Sequence, residues 1–232
     1  MENLIELRNV TVKYEDVVAL KGVNLGIRKG EKIGVVGPSG AGKSSLFLAI
    51  KRLIPFEGDV IFSGISERDV GLVFQNPDIQ LFMPTVFDDI AFGPLNQGLS
   101  EDEVRLRVSE AMEWGGIPGF EDRSPHHLSE GEKKKVAIAT VLAMDPEVYL
   151  FDEPATGLDP ASRGEVAEII SKIEKTVIIA THDLQLVGSV CERIVVINGG
   201  RIVADGDVCE ILGNDRLLTA NRLLPMSMEW SF

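Results

Sequence analysis

The segment GPSGAGKS, Gly37 to Ser44, is the part of this 232-residue chain whose residue types and spacing are most specific to one chemistry. It follows the pattern G-x-x-x-x-G-K-[ST]. Glycines let the backbone wrap a phosphate so that successive N–H groups point inward. A helix that follows adds its positive N-terminal end. Lys43 supplies a point charge for β- and γ-phosphates, and the Ser44 hydroxyl is a ligand for Mg²⁺. The candidate nucleotide contacts are Gly37, Pro38, Ser39, Gly40, Ala41, Gly42, Lys43, Ser44 and Ser45.

A second cluster is VYLFDE, Val148 to Glu153, an apolar strand that ends in two carboxylates. Open α/β sheets bind ligands at the carboxyl ends of their strands. Asp152 is placed to hold Mg²⁺, and Glu153 to polarise an attacking water as general base or orienter. Three further residues sit at strand ends or turns. Gln75 ends VGLVF, His182 follows TVIIAT, and Tyr14 precedes a turn. In LSEGEKKKVAIATVLA, Leu128 to Ala143, Ser129 and Glu132 have capping-box spacing. The same Ser-Glu-Gly-Glu start is close to a sequence that grips a phosphate.

Strand and helix patterns must position these groups. Leu4 to Tyr14, Val23 to Ile27, Lys32 to Val36, Asp59 to Phe62 and Val70 to Phe74 read as strands, with a helix from Lys43 to about Leu53. From Pro77 to about Pro125 strand patterning fades, and a helix is expected after the Ser100–Glu103 capping box. Alternation then returns. Val148 to Phe151 and Thr176 to Ala180 read as strands, Ser162 to Ile173 and Leu184 to Val190 as helices. Arg193 to Ile197 and Arg201 to Ala204 read as a hairpin across Asn198-Gly199-Gly200. Such alternation predicts a mostly parallel α/β sheet.

Composition narrows the class. At 44% hydrophobic and 25% charged, the chain can bury a real core. A net charge of −13 argues against a nucleic-acid partner. Cys191 and Cys209 have no metal-ligand spacing and read as reduced thiols of a cytoplasmic protein. The start MENLIELRNVTV has charges among its apolar residues, unlike a signal peptide. No run of about 18 apolar residues is present, so work at a membrane needs a partner that spans it.

In chain order, Tyr14, the loop at 37–44, Gln75, the stretch at 128–132, Asp152–Glu153, Gly157-Leu158-Asp159-Pro160 and His182 resemble the ATP-binding subunits of ABC transporters. The resemblance covers nearly the whole chain. It implies an α/β P-loop NTPase fold of the RecA-like kind, with a mostly parallel sheet core and an N-terminal antiparallel β subdomain. It also implies one domain over 1–232, a helical subdomain inserted at about 77–145 and a short C-terminal tail at about 207–232. Tyr14 would stack on adenine. Gln75 would contact Mg²⁺ or the lytic water and sense the membrane partner. His182 would contact the γ-phosphate, and Asp159 would couple the two sites of a dimer that sandwiches two ATP molecules.

The family signature is Leu-Ser-Gly-Gly-Gln, and this chain has Leu128-Ser129-Glu130-Gly131-Glu132. Ser129 and Gly131 are kept for a γ-phosphate across the dimer. Glu130 aimed at ATP would be costly, and Lys133, Lys134 and Lys135 are expected to offset part of that.

VFQNPDIQLFMPTVFDDIAFGPLNQGLS, Val73 to Ser100, resembles the energy-coupling-factor branch, which serves cobalt, nickel and vitamin uptake. That implies ATP hydrolysis coupled to import, on the cytoplasmic face of the membrane. The partners would be a second ATPase subunit, the same or different, a transmembrane coupling protein and a substrate-binding membrane protein. Gln75 to Phe82 would form the groove for the coupling protein's helices. Many members of the branch carry a longer C-terminal extension that helps dimerisation. This chain ends at Phe232, which counts against a permanent dimer. Its apolar tail LLTANRLLPMSMEWSF is expected to pack on its own core or on a partner. The competing expectations are a soluble ABC ATPase, as in iron–sulfur scaffold assembly, and a weakly hydrolysing half of a heterodimeric pair.

Overall fold

The computed structural model describes residues 3–224. In chain order the elements are β1 (Asn3–Tyr14), β2 (Val17–Arg28), β3 (Lys32–Val36), α1 (Lys43–Ile50), β4 (Glu57–Phe62), β5 (Val70–Val73), α2 (Val86–Asn96), α3 (Glu101–Trp114) and α4 (Glu130–Leu142). They continue with β6 (Val148–Asp152), α5 (Pro160–Ser171), β7 (Thr176–Thr181), α6 (Leu184–Val190), β8 (Arg193–Asn198), β9 (Arg201–Asp207), α7 (Val208–Leu212) and α8 (Asp215–Ala220). Among the described residues they fall into two compact units, residues 3–67 with 175–224 and residues 68–174.

In the first unit, β2, β1 and β4 form an antiparallel sheet. Residues along β1 alternate between core and surface for much of its length: Ile5, Leu7, Val10 and Val12 are buried, while Arg8 and Lys13 face solvent. A second group of strands has β3 between β7 and β8, both parallel to it, with β9 antiparallel at the edge. β3 and β7 are apolar almost throughout, and all six residues of β7 are buried. Continuous burial of this kind marks strands covered on both faces. Gly34 in β3 leaves room for α6, because a Cβ there would lie 2.3 Å from a Val187 methyl. The β8–β9 turn has φ of +54° at Gly199 and +80° at Gly200, a conformation that glycine adopts without strain.

The tail expectation divides. Leu218 of α8 is buried, and the Asn221 side-chain oxygen accepts from Asn198 Nδ2 at 2.8 Å, so this part packs on its own unit. Residues 225–232 lie outside the described residues.

In the second unit β5 and β6 pair in parallel, and α2, α3 and α4 lie between them in sequence. Both expected capping boxes form, at Ser100–Glu103 and Ser129–Glu132. Helix α2 was not apparent in the sequence, because Gly93 and Pro94 interrupt its pattern. It forms nonetheless. The Thr85 hydroxyl accepts the Asp88 N–H at 3.1 Å, and Val86, Ile90 and Ala91 are buried. No helix among the described residues is long and apolar enough to cross a membrane.

Candidate functional site

The first unit carries the phosphate loop. It leaves β3 at Val36 and enters α1 at Lys43. Gly40 and Gly42 have φ of +75° and +110°, and each lets the backbone turn where a side chain would be strained. Gly37 lies against the end of β8, where a Cβ would meet the Ile197 carbonyl oxygen at 2.2 Å. The hairpin braces the loop again where Gly200 N–H donates to Ala41 O at 3.1 Å. No side chain caps α1 and its first turn has no acidic residue, so its own residues leave its positive end suited to an anion. The Lys43 ammonium is buried and folds back on the loop, donating to Gly37 O at 2.8 Å and Pro38 O at 3.3 Å.

Parallel register carries His182 to the same end of the strands. Val36 is paired with Thr181, so the loop and His182 begin side by side. His182 is exposed and precedes Asp183, whose carboxylate caps α6. Tyr14 ends β1 opposite Val17, and their exposures of 42% and 65% leave an apolar surface open.

The second unit carries the paired carboxylates. Asp152 ends β6 and Glu153 follows it, both buried. Glu153 has φ of +47°, an uncommon conformation for a residue with a side chain and one found disproportionately at functional sites. The Thr156 hydroxyl donates to its carboxylate at 2.9 Å and orients it. Gln75 is exposed just past β5.

Three positioning residues escaped the sequence reading. Besides Thr156 they are Gln80 and Lys134. The Gln80 side-chain oxygen accepts Phe74 N–H at 3.1 Å, while its amide nitrogen donates to Ala137 O at 2.8 Å and to the Thr140 hydroxyl at 2.7 Å. It ties the exit of β5 to α4. The signal was present in Phe-Gln-Asn-Pro-x-x-Gln, but a glutamine in a loop carries no periodicity. Lys134 lies in a charged run, where burial was not expected.

At the start of α4 the capping box answers what the signature glutamates do. The Ser129 hydroxyl accepts Glu132 N–H at 3.3 Å and donates to the Glu132 carboxylate at 2.8 Å. That carboxylate also accepts Ser129 N–H at 2.8 Å. The Ser129 backbone N–H, then its hydroxyl, holds Glu132 below the ordinary glutamate pKa. Glu132 is therefore spent on the cap, and Glu130 is exposed.

The lysines depart from expectation. Lys133 pairs with Asp78 at 2.7 Å and Lys135 with Glu165. Lys134 is buried and donates to backbone carbonyls. The Glu130 charge acts on Lys134, opposing the shift that burial imposes on it. Gly131 lies against Ser162, whose hydroxyl donates to Asp159 at 2.7 Å. Asp159 itself caps α5. Ser129, Gly131 and Asp159 thus belong to one surface of this unit.

Together the antiparallel sheet, the parallel strands, the phosphate loop on an uncapped helix and the acid pair after a buried strand define a P-loop ATPase of the ATP-binding cassette class. A family model described as ABC transporter matches residues 20–156. The energy-coupling factor transporter ATP-binding protein EcfA of Methanothermobacter thermautotrophicus is 45% identical over 93% of this chain and 74% of its own length. Among solved structures, cbiO1 of Clostridium perfringens, part of the ABC transporter complex cbiONQ, is 34% identical with a TM-score of 0.82, covering 96% of both chains. The dimeric bacterial ABC transporter cassette MJ0796 is 30% identical with a TM-score of 0.78, covering 88% of this chain and 98% of that one. The chain belongs to the ABC transporter family, as an ATPase and ATP-binding subunit of the energy-coupling-factor type.

Proposed function

We propose that the chain powers uptake of a metal ion, cobalt or nickel, or of a vitamin through an energy-coupling-factor importer, bound at the cytoplasmic face of the membrane. Tyr14 stacks on adenine. The loop from Gly37 to Ser45 wraps the phosphates, and Lys43 turns from its own carbonyls to the β- and γ-phosphates. Ser44, Gln75 and Asp152 are a hydroxyl, an amide oxygen and a carboxylate, the hard oxygen donors that suit Mg²⁺. When bound, Mg²⁺ neutralises charge on the phosphates. Glu153 orients the attacking water and takes its proton as the new P–O bond forms and the bond to ADP breaks. His182 steadies the γ-phosphate. Ser129, Gly131 and Asp159 serve the nucleotide held by the other ATPase subunit.

One observation carries the membrane partner. Ile79, Phe82, Phe92 and Leu95 are exposed by 64, 58, 43 and 53% on the unit that holds Gln75. Phe82 and Phe92 meet edge to face at 5.1 Å. Asp89 fixes this arrangement, because one carboxylate oxygen accepts Phe82 N–H at 3.0 Å and Met83 N–H at 3.1 Å. A connected apolar patch on a soluble face is a docking surface, here for helices of the transmembrane coupling protein. The test is co-purification with that protein. Phe82→Asp and Phe92→Asp should abolish it while ATP binding stays. Undiminished co-purification of both variants would contradict the reading.

A further inference from the structure

Lys134 is 2% exposed, on the second turn of α4. A buried ammonium costs several kcal/mol unless its protons are used. Here they are spent on backbone. Nζ donates to Gln75 O and, at 3.4 Å, to Glu153 O. One side chain on the helix that begins with Ser129 and Gly131 therefore holds the segment leaving β5 and the residue that follows β6. Glu153 is the residue with φ of +47°, so its backbone needs an external hold. Burial lowers the pKa of Lys134, and the charges of Glu130, Asp152 and Glu153 oppose that shift. Glu130 precedes Lys134 by four residues, the favourable order for such a pair on a helix. The acidic residue that departs from the family signature thereby helps keep a buried charge on the same helix.

We propose that Lys134 is a positioning residue for hydrolysis, which fixes the backbones of Glu153 and Gln75 relative to the signature helix without touching nucleotide. This rests on the reading of Glu153 as the water-activating residue. A displacement of about 1 Å in a reacting group costs up to about a hundredfold in rate. The loss should fall on turnover, because the Lys134 ammonium is spent on the backbone carbonyls of Gln75 and Glu153.

The experiment compares steady-state ATP hydrolysis by the parent, Lys134→Met, Lys134→Arg and Glu153→Gln, with folding checked by circular dichroism. Met matches the length and volume of the aliphatic stem but donates no hydrogen bond. The expected result is at least a tenfold fall in kcat for Lys134→Met, a KM for ATP within about twofold of the parent, and substantial recovery in Lys134→Arg. A kcat within twofold of the parent would overturn the proposal, as would equal damage to kcat and KM. If Lys134→Met does not fold, Lys134→Leu decides. It is neutral and donates no hydrogen bond, and parent-like kcat with it would overturn the proposal equally. Glu153→Gln turning over at the parent rate would overturn the reading of Glu153. An inactive Glu153→Gln beside a fully active Lys134→Met would overturn the Lys134 proposal alone.

Discussion

Replacing Gly37 by alanine tests whether the phosphate loop works because it is braced by the β8–β9 hairpin. The added Cβ would lie 2.2 Å from Ile197 O, 3.1 Å from the Ala41 Cβ and 3.2 Å from Ile197 C. Ordinary contact begins near 3.4 Å, so the overlap with the carbonyl oxygen exceeds 1 Å. That oxygen cannot step aside cheaply, because β8 is paired on both edges, with β3 through Val36–Val196 and with β9 through Ile197–Ile202. The loop must move instead. Overpacking of this kind costs about 1–3 kcal/mol, and against fixed backbone the upper end applies. Where that strain is relieved only by a loop held away from its phosphate-binding form, each 1.4 kcal/mol is about tenfold in affinity. Gly40→Ala is the comparison. Nothing lies within 4 Å of its Cβ, and its cost comes only from φ of +75°, about 1–2 kcal/mol. Calorimetric titration with ATP should show affinity lost by one to two orders of magnitude in Gly37→Ala, with a smaller loss in Gly40→Ala. Parent-like affinity in a folded Gly37→Ala would refute the bracing argument.

Lys43→Ala should abolish nucleotide-dependent activity, read as phosphate release, while the melting temperature without nucleotide stays near that of the parent. Glu153→Gln should bind ATP and retain it unhydrolysed, seen by chromatography of the bound nucleotide. Ser129→Ala removes an N-cap worth about 1 kcal/mol, which lowers Tm by about 2–4 °C in a chain of this size. For Glu132 the folded-state pKa is depressed, so its contribution is present above the ordinary value of 4.5 and is lost as pH falls through the folded value. The stability difference between the parent and Glu132→Gln in urea should therefore shrink as pH falls from 6 to 3. A difference that is constant with pH would remove Glu132 from the cap's electrostatics.

Strand and loop chemistry was legible where periodicity or a motif spoke. The sequence placed β3, the phosphate loop, α6 and the β8–β9 turn, because continuous apolar runs and paired glycines have few alternative readings. It placed both capping boxes, since Ser-x-x-Glu is a local device whose partners lie three residues apart. It missed α2, where Gly93 and Pro94 outweighed Thr85 and the buried face of Val86, Ile90 and Ala91. It read Lys133, Lys134 and Lys135 as one block of counter-charge. Helical geometry instead points them to different neighbours, Asp78, the carbonyls of Gln75 and Glu153, and Glu165. Gln80 and Thr156 were illegible for the same reason. Their hydrogen bonds depend on which segments the fold brings together, and sequence spacing does not record that.

The signature of this chain is expected to close on a nucleotide despite Glu130 and Glu132. The direct measurement is solution mass by light scattering for Glu153→Gln, with and without Mg²⁺ and ATP. Glu132 is held in its cap by the Ser129 N–H and hydroxyl, so closure on a phosphate requires the Ser129 hydroxyl to exchange the Glu132 carboxylate for the phosphate. ATP should double the mass. A variant that binds ATP tightly and stays at single-chain mass would contradict it, and would assign this chain to a pair with a different ATPase subunit.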